Sequence, residues 1–360
     1  MTEKKPKILY VAENMSGGVF TYLVDLTDRL IDKYDIVIAY APDSETPKDP
    51  RNYFDDRIPL YQIPTWLHAV DPIKEPDARA ALKNLVVKEQ PDLIHLNGYK
   101  AGKIGRAALD GMGLPLFYTP HGYMFHSEDH NVLSRSVYRY YEQQSAAKAN
   151  CVTIACSKGE YAETLGFTTD AAFVNNGIDT EELDRIVKET APADHPFTVF
   201  TSGRINDQKN PDLFNEIAKA MPQVKFVWIG DGINKYKLTS SNIEVTGWLD
   251  REDALKRALN SDVFILTSRW EGMPMTLLEA MYLKKLCIVT NVVGSRDVVT
   301  NGENGFVASS AAAFVNAINH SGDEIAQTMV ENAYKDVAEN YTLDHMAKGY
   351  DAIYQKALKK

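Results

Sequence analysis

The sequence has no long hydrophobic run. No stretch of its 360 residues approaches the 18 or so consecutive apolar residues that a membrane-spanning helix needs. The opening residues, MTEKKPKILYVAE, contain neither a long apolar segment nor a cleavage site of the kind found in secretory signal peptides. The sequence therefore predicts neither a secreted protein nor a protein that spans a membrane.

Cysteine is rare, and basic residues are outnumbered by acidic ones. Cys151, Cys156 and Cys287 lie in or beside apolar runs, as is typical of small core residues in a reducing compartment. An isolated Cys-x4-Cys pair is not a zinc motif. The 39 basic and 49 acidic residues give a formal net charge of −10, which argues against a general nucleic-acid-binding protein. A local basic pocket for an anion is still compatible with this charge.

The common phosphate-binding motifs are also missing. Neither Gly17-Gly18 nor Gly230-Asp231-Gly232 continues as G-x-G-x-x-G, and there is no G-x4-G-K-[ST] sequence. The chain contains no Asp-x-Asp pair, through which a divalent metal usually holds a nucleotide diphosphate. We therefore expect no metal and no other cofactor. Cationic side chains and backbone amides must neutralise any diphosphate that binds.

Short β-branched runs alternate with segments of helical spacing, such as Thr21–Ile31, along most of the chain. Strands that are apolar on both faces and separated by helices predict parallel sheets with helices on both sides. From Ala311 onward the pattern is helical only. The predicted strands are Ile8–Ala12, Ile36–Ala41, Leu93–Leu96, Leu116–Thr119, Val152–Ala155, Phe197–Ser202, Lys225–Ile229, Ile243–Val245, Val263–Thr267 and Leu286–Thr290.

A turn-rich stretch with two prolines, 189–196, interrupts this alternation once. It predicts a linker between an N-terminal α/β domain, 1–188, and a C-terminal α/β domain, 197–341. Open α/β sheets bind ligands at the carboxyl ends of their strands. Two such domains facing each other would form a cleft, and functional residues should follow strands.

The segment SRWEGMPMTLLEAM, residues 268–281, follows the predicted strand VFILT. Pro274 is a good first helical residue, so we expect Glu271 in the preceding loop and Glu279 about one and a half turns into the helix. Backbone N–H groups at a helix start suit a phosphate, and a nearby carboxylate suits the hydroxyls of a sugar. A helix whose acidic first turn serves only stability would give the same pattern.

The segment TSGRINDQKN, residues 201–210, places Arg204 and Lys209 in one loop directly after a strand. A guanidinium and an ammonium group can hold a diphosphate together. Two solvated loop cations are the alternative. Their position after a strand, in the same half of the chain as Glu271, favours a binding role.

The first half of the chain offers weaker candidates. Gly17 and Gly18 lie between the first strand and the first helix, where they either let the backbone approach a ligand or form a simple tight turn. His121 directly follows a strand and serves either chemistry or polar packing. No trusted metal-binding spacing occurs among the polar residues after it, His126, Glu128, Asp129 and His130.

Taken together, these motifs resemble those of glycosyltransferase family 4, the retaining, sugar-nucleotide-dependent glycosyltransferases of GT-B fold. The family usually has Gly-x-Pro after the Glu-containing helix, where this chain has Lys284-Lys285, so two positive charges are expected near the site. The matching motifs are ordered and span most of the chain: Gly17-Gly18, His121-Gly122, Asn176-Gly177-Ile178-Asp179, Gly203-Arg204 to Lys209-Asn210, Gly230-Asp231-Gly232, Gly247, Glu271 to Glu279, and Asn301 to Gly305.

The resemblance implies a GT-B fold, with two Rossmann-like domains and a final helix, 342–360, that packs back on the N-terminal domain. Arg204 and Lys209 would hold the donor diphosphate, Glu279 the ribose hydroxyls, and Glu271 the donor sugar. His121 would lie near that sugar from the N-terminal side. The implied catalytic residues are Glu271, His121, Arg204 and Lys209. The implied donor-binding residues are Gly17, Gly18, Gly203, Arg204, Lys209, Glu271, Gly272, Met273, Met275, Thr276 and Glu279.

The implied activity is a retaining, metal-independent hexosyl transfer from a nucleotide sugar, expected to be a UDP-sugar, to a glycan or lipid-linked glycan. It would serve the synthesis of a bacterial-type surface polysaccharide or glycoconjugate. A catalytically silent, glycosyltransferase-like partner subunit is the alternative. An epimerase or a phosphorylase of the same fold is disfavoured by the Glu-x7-Glu segment.

The expected location is the cytoplasm, with contact at the inner face of the cell membrane. Two groups of basic residues at helical spacing bear on that contact: Lys100, Lys103 and Arg106, and then Arg135 and Arg139. They form either solvated helix faces or a surface for an anionic acceptor or membrane.

Overall fold

The computed structural model describes residues 4–12, 15–43, 46–63, 75–127, 131–148, 150–191 and 193–359. These residues form two compact units, each built on a parallel sheet. The first unit contains residues up to 126, residues 131–176 and the C-terminal residues from Leu343 onward, and the continuous part of the second is Gly177–Thr342. The predicted fold class, α/β with two Rossmann-like domains, is confirmed.

The first unit contains a seven-stranded sheet in the order β3-β2-β1-β4-β5-β6-β7, as far as the described residues define it. Its strands are β1 Lys7–Ala12, β2 Asp35–Tyr40, β3 Leu60–Gln62, β4 Leu93–Asn97, β5 Leu116–Thr119, β6 Cys151–Ala155 and β7 Ala171–Phe173. Its helices are α1 Gly17–Leu30, α2 Glu75–Glu89, α3 Tyr99–Leu109, α4 Val132–Lys148, α5 Lys158–Leu165 and the C-terminal α13 Leu343–Leu358.

The second unit contains a six-stranded sheet in the order β10-β9-β8-β11-β12-β13, again within the described residues. Its strands are β8 Thr198–Ser202, β9 Lys225–Ile229, β10 Ile243–Val245, β11 Val263–Leu266, β12 Leu286–Thr290 and β13 Phe306–Ala308. Its helices are α6 Thr180–Glu189, α7 Pro211–Ala220, α8 Arg251–Leu259, α9 Met275–Tyr282, α10 Ser295–Val298, α11 Ala311–Asn319 and α12 Glu324–Asn340.

The ten strands predicted from apolar runs are all present, and three further strands within the described residues were missed. The missed strands, β3, β7 and β13, each form an edge of a sheet. Each has three residues and is mostly half-buried, so it carries no continuous apolar run. An edge strand packs against only one neighbour and needs less apolar sequence than a central strand.

The C-terminal helix α13 is part of the first unit. The Tyr354 hydroxyl lies 2.6 Å from His95 Nδ1 on β4 and 3.2 Å from the Tyr10 hydroxyl on β1. The Tyr34 hydroxyl donates to Asp351 at 2.7 Å. Buried tyrosines with polar partners therefore anchor the end of the chain beneath the first sheet.

The unit boundary lies before α6, whereas the sequence analysis placed it at 189–196. Leu183 and Ile186 of α6 are buried, and the Asp184 carboxylate accepts a hydrogen bond of 2.9 Å from the Tyr282 hydroxyl on α9. The apolar face of this amphipathic helix thus packs in the second unit. The turn-rich stretch connects α6 to β8 within that unit.

Cys151, Cys156 and Cys287 are all buried, as their apolar surroundings predict. Among the described residues, no helix combines the length and the apolar character needed to cross a membrane.

Candidate active site

The loop after β8 carries Arg204 and packs tightly on the loop after β9. Trp228 Nε1 donates to the carbonyl of Gly203 at 2.8 Å, and the Ile205 N–H donates to the carbonyl of Asp231 at 2.8 Å. A Cβ atom on Gly230 would lie 2.3 Å from the Gly203 carbonyl oxygen, so only glycine allows this approach. The Gly-Asp-Gly segment therefore supports the Arg204 loop by packing.

Lys209, at the end of the same loop, pairs with Glu271. Its Nζ lies 2.6 Å from Glu271 Oε1, and the two side chains are 17% and 7% exposed. The Arg269 N–H donates to the Gln208 carbonyl at 2.8 Å, and the Thr267 hydroxyl donates to the Lys209 carbonyl at 2.7 Å. These bonds fix the loop after β8 against the loop after β11.

Glu271, Gly272 and Met273 are buried in the loop that leads into α9. The helix begins at Met275, one residue later than predicted, with Pro274 as its N-cap residue. No side chain caps its first turn, so the backbone N–H groups of Met275 and Thr276 have no side-chain cap, while the Leu277 N–H donates to the Pro274 carbonyl at 3.1 Å. A buried carboxylate, a lysine and an uncapped helix start therefore meet at the carboxyl end of the second sheet.

Gly294, in the loop after β12, closes on the same place. Its φ is +83°, and a Cβ atom there would lie 2.3 Å from the Gly272 carbonyl oxygen and 3.2 Å from Glu271 Cβ. Only glycine combines this left-handed backbone with so close an approach. Gly294 therefore holds the main chain around Glu271 in position.

Glu279, in α9, is also buried, and one of its oxygens has a cationic partner. Arg251 Nη1 donates to Glu279 Oε1 at 2.8 Å, while Arg251 Nε donates to Glu182 Oε2 on α6 at 2.7 Å. Thr276, one turn before Glu279, is half-buried. The carboxylate expected to bind ribose is therefore oriented by an arginine.

In the first unit, His121 follows β5 in a left-handed backbone conformation, with φ +57°. Its Nε2 lies 3.0 Å from Asn97 Oδ1, and its ring packs edge-on against Tyr22, with the ring centroids 4.5 Å apart. Burial lowers the pKa of His121 to about 3, because it disfavours the charged ring. The imidazole is therefore neutral at physiological pH.

Gly17 and Gly18 form the first turn of α1, the helix that carries Tyr22. A Cβ atom on Gly18 would meet no heavy atom within 4 Å. The Gly-Gly loop and His121 thus belong to neighbouring elements of the first unit. Glu13 and Asn14, which precede the glycines, lie outside the described residues, as do Glu128, Asp129 and His130.

Sequence models of two families match adjacent stretches that together span most of the chain. The model described as Glycosyltransferase Family 4 matches residues 16–182, and the model described as Glycosyl transferases group 1 matches residues 183–336. The chain belongs to glycosyltransferase family 4. It is therefore an enzyme of the hexosyltransferase type, as the sequence predicted.

Individual proteins are also similar to this chain, one in sequence and two in solved structure. The Escherichia coli UDP-Gal:alpha-D-GlcNAc-diphosphoundecaprenol alpha-1,3-galactosyltransferase is 29% identical over 328 residues, which cover 81% of this chain and 82% of the relative. Sucrose-phosphate synthase from Thermosynechococcus elongatus has a TM-score of 0.82 at 17% identity, with 98% of this chain and 99% of that chain covered. Anabaena HepE in complex with UDP-glucose has a TM-score of 0.74 at 17% identity, with 97% and 99% covered. The two solved structures are similar in fold.

The sequence analysis of this glycosyltransferase missed Arg251 and Glu160, which support site residues. Arg251 holds Glu279, as described above. Glu160, 1% exposed, accepts the Gly122 N–H at 2.7 Å and the Cys156 N–H at 2.8 Å, so it ties the His121 loop to the loop after β6. Burial raises the pKa of Glu160. Only the Ser157-x-x-Glu160 spacing, typical of a helix start, could have drawn attention to it.

The expectation that Lys284 and Lys285 place two positive charges near the site was wrong. Lys284 pairs with Glu331 at 2.8 Å, and Lys285 donates to the carbonyls of Leu259 and Ser261, at the amino end of β12 and away from Glu271. Lys284 takes a left-handed backbone, with φ +56°, where the family usually has glycine.

Arg106 does not lie on a solvent-exposed face of α3. It is buried against Glu142 at 2.8 Å and stacks on the Tyr118 ring at 4.3 Å. Lys103 pairs with Glu75 at 3.0 Å, so this basic group does not form a surface stripe. The buried Glu142 carboxylate and the Tyr118 ring hold Arg106 inside the unit, which periodicity alone could not reveal.

Proposed function

We propose that this glycosyltransferase moves a hexosyl group from a UDP-sugar to a glycan or lipid-linked glycan acceptor. The transfer would retain the anomeric configuration, need no divalent metal and serve surface polysaccharide or glycoconjugate synthesis. The observation that carries the proposal is the Lys209–Glu271 pair at the uncapped start of α9. The name of the E. coli relative, with its UDP-galactose donor and diphosphoundecaprenol-linked acceptor, supports the donor base and the acceptor class.

The chemical difficulty of the transfer is the leaving group. Breaking the bond between the anomeric carbon and oxygen leaves negative charge on the nucleoside diphosphate and creates an oxocarbenium-like sugar. Arg204, Lys209 and the first-turn N–H groups of α9 would stabilise that charge as it develops. Because the loops that carry them are fixed by hydrogen bonds, little reorganisation would be needed during the reaction.

The two carboxylates of the Glu-x7-Glu segment would bind the neutral parts of the donor. Glu279 has one oxygen engaged by Arg251, and its other oxygen would accept a hydroxyl of the ribose. Glu271 would accept hydroxyls of the donor sugar and orient it. Gly203, Gly272, Met273, Met275 and Thr276 would contribute backbone contacts.

Retention would follow from attack on the same face as the leaving group, with the departing phosphate accepting the proton of the acceptor hydroxyl. In this scheme Glu271 orients the sugar and forms no covalent bond to it. His121 would contact the donor sugar, and Gly17 and Gly18 would contact its phosphates or the acceptor. Trapping of a glycosyl adduct on Glu271 would contradict this scheme.

A thermal-shift screen of nucleotide sugars, followed by product analysis with the best donor, tests the proposal. A ligand that binds only the folded protein raises its melting temperature, by an amount that grows with concentration over Kd. We expect a UDP-sugar to give the largest shift and the product to keep the donor's anomeric configuration. Loss of activity with a chelator and its rescue by Mn²⁺ would refute metal independence, and an inverted product would refute retention.

We further propose that α4 brings the enzyme to an anionic lipid surface. This helix exposes Val132, Leu133 and Tyr140, with the exposed Arg139 beside them. Apolar side chains with a flanking arginine suit the boundary of an anionic bilayer, where a lipid-linked acceptor would reside.

Flotation with liposomes that contain or lack anionic lipid tests this contact at low salt. We expect the enzyme to float only with the anionic vesicles, and the double change Val132→Ser, Leu133→Ser to abolish flotation. Ile325→Ser, at an exposed apolar residue of the second unit, is the matched control. Absence of binding to anionic vesicles would contradict the proposal.

A further inference from the structure

Asn97, at the end of β4, is fully buried and belongs to none of the motifs above. Its Nδ2 donates to the carbonyl of His95 at 3.1 Å, and its Oδ1 lies 3.0 Å from His121 Nε2. A carbonyl oxygen only accepts hydrogen bonds, so the amide nitrogen of Asn97 must face His95. The amide oxygen must then face the imidazole.

This orientation fixes the proton on the imidazole. An amide oxygen is also only an acceptor, so His121 Nε2 must be the donor and must carry a hydrogen. Because burial lowers the pKa of His121 to about 3, the ring holds one proton rather than two near neutral pH. His121 Nδ1 therefore keeps its lone pair, and none of the described side chains or backbone groups makes a hydrogen bond to it.

The other groups around the ring leave this arrangement intact. Tyr22 from α1 presents its ring to His121, and His95 from β4 is itself held neutral by burial. The carboxylate oxygens of Glu160, from α5, accept hydrogen bonds from the N–H groups of Gly122 and Cys156. The Tyr350 ring, from α13, packs against both Tyr22 and His95. None of these contacts competes with Asn97 for His121 Nε2.

We propose that Asn97 is a positioning residue that holds His121 as the neutral Nε2–H tautomer, so that His121 Nδ1 accepts a hydrogen bond from a hydroxyl of the sugar substrate. The inference rests on the proposed function, because it assigns His121 to a sugar. It also excludes two other roles. A neutral ring in this tautomer neither stabilises the diphosphate as a cation nor donates a proton from Nδ1. The left-handed backbone at His121 is a further sign that the ring is held in a required orientation.

The tautomer can be measured directly in the unmodified enzyme. Nitrogen-15 NMR of histidine-labelled protein, with His121→Gln to assign the signal, distinguishes a protonated from an unprotonated ring nitrogen. We expect protonated Nε2 and unprotonated Nδ1 at pH 7. A proton on Nδ1, or an even mixture of tautomers, would overturn the proposal. This measurement stands even if no UDP-sugar is a substrate, so it separates the inference from the proposed function.

Asn97→Leu, with Asn97→Ala as a second variant, tests the consequence for activity with the best nucleotide sugar. We expect a mixture of tautomers and a loss of about tenfold in kcat/KM, the size of one hydrogen bond. The Kd for UDP alone should not change, because UDP lacks the hexosyl group that His121 would contact. Asn52→Leu, at an exposed asparagine of the same unit, is the control. Equal weakening of UDP binding and transfer, or an unchanged tautomer, would mean that Asn97 is only structural.

Discussion

Replacing Lys209 with methionine tests the electrostatic core of the proposed mechanism. Methionine keeps an unbranched side chain and removes the charge that lies 2.6 Å from Glu271 Oε1. A preorganised donor aimed at developing charge contributes about 3 kcal/mol, so Lys209→Met should lower kcat roughly a hundredfold. The assay is product formation at saturating donor, which separates turnover from binding.

The same change should also affect stability. With Glu271 only 7% exposed, loss of Lys209 leaves a nearly buried carboxylate without its cation. Removing one partner of a fully buried pair costs about 3–5 kcal/mol, and exposed pairs contribute under about 1 kcal/mol. For this partly exposed pair we expect a loss of about 1–2 kcal/mol in the free energy of urea unfolding. Glu271→Gln in the same chain should recover most of it, since the buried charge is then gone.

The outcomes of this double-mutant cycle separate catalysis from packing. Lys284→Met removes one positive charge and one ion pair at the other end of the sheet, so it should leave kcat unchanged. A Lys209→Met enzyme that turns over like the unmodified protein would refute the role of Lys209. If its stability also fell, Lys209 would serve only to neutralise Glu271.

Three other changes probe the site at different levels. Arg204→Ala should lower kcat about a hundredfold, and near-normal product formation would remove Arg204 from the mechanism. Gly294→Ala should lower the free energy of urea unfolding by roughly 1–3 kcal/mol and weaken donor binding, because its Cβ would lie 2.3 Å from the Gly272 carbonyl oxygen; unchanged stability would contradict the tight approach. The pKa of His121 is lowered from its unfolded value near 6.5, so the unfolded chain binds more protons at acid pH and stability is lost as the pH falls below about 6.5. Between pH 7 and pH 5 the titration of His121 should lower the free energy of unfolding by up to about 2 kcal/mol, and this loss should be absent in His121→Gln. Urea unfolding of both proteins at the two pH values measures it.

The central strands of both sheets could be predicted because their sequence signal is physical and local. A strand buried on both faces must be apolar throughout, and runs such as Phe264–Leu266 or Ile36–Ile38 are typical of such strands. The edge strand β7 packs on one neighbour only and leaves no such run. The unit boundary before α6 was missed for a related reason. The sequence pattern of an amphipathic helix predicts that one face packs against other elements, but it does not indicate which unit they belong to.

The site residues also divide into those that the sequence could predict and those that it could not. Residues that follow a predicted strand, such as Arg204 and Glu271 in the second unit and His121 in the first, could be proposed because each parallel sheet brings the carboxyl ends of its strands to one edge. Arg251 acts by holding Glu279, Glu160 by holding Gly122, and Asn97 by holding His121. The site residues that they hold are between 24 and 38 positions away in the chain, so no local spacing in the sequence links each pair.

Lys209 and Glu271 were assigned to different parts of the donor, yet they contact each other. The pairing gives each charge a partner in the unliganded enzyme, which a buried carboxylate requires. A UDP-sugar can replace both partners at once, since its phosphates would meet Lys209 and its sugar hydroxyls would meet Glu271. UDP alone supplies only the phosphates. They would draw Lys209 away from Glu271, and no sugar hydroxyl would be present to take the place of Lys209 beside the carboxylate. The ion pair should therefore favour the intact donor over the UDP product, and Glu271→Gln, which needs no counter-charge, should bind UDP more tightly than the unmodified enzyme in calorimetry. Weaker binding of UDP to Glu271→Gln would show that the carboxylate contacts the nucleotide itself.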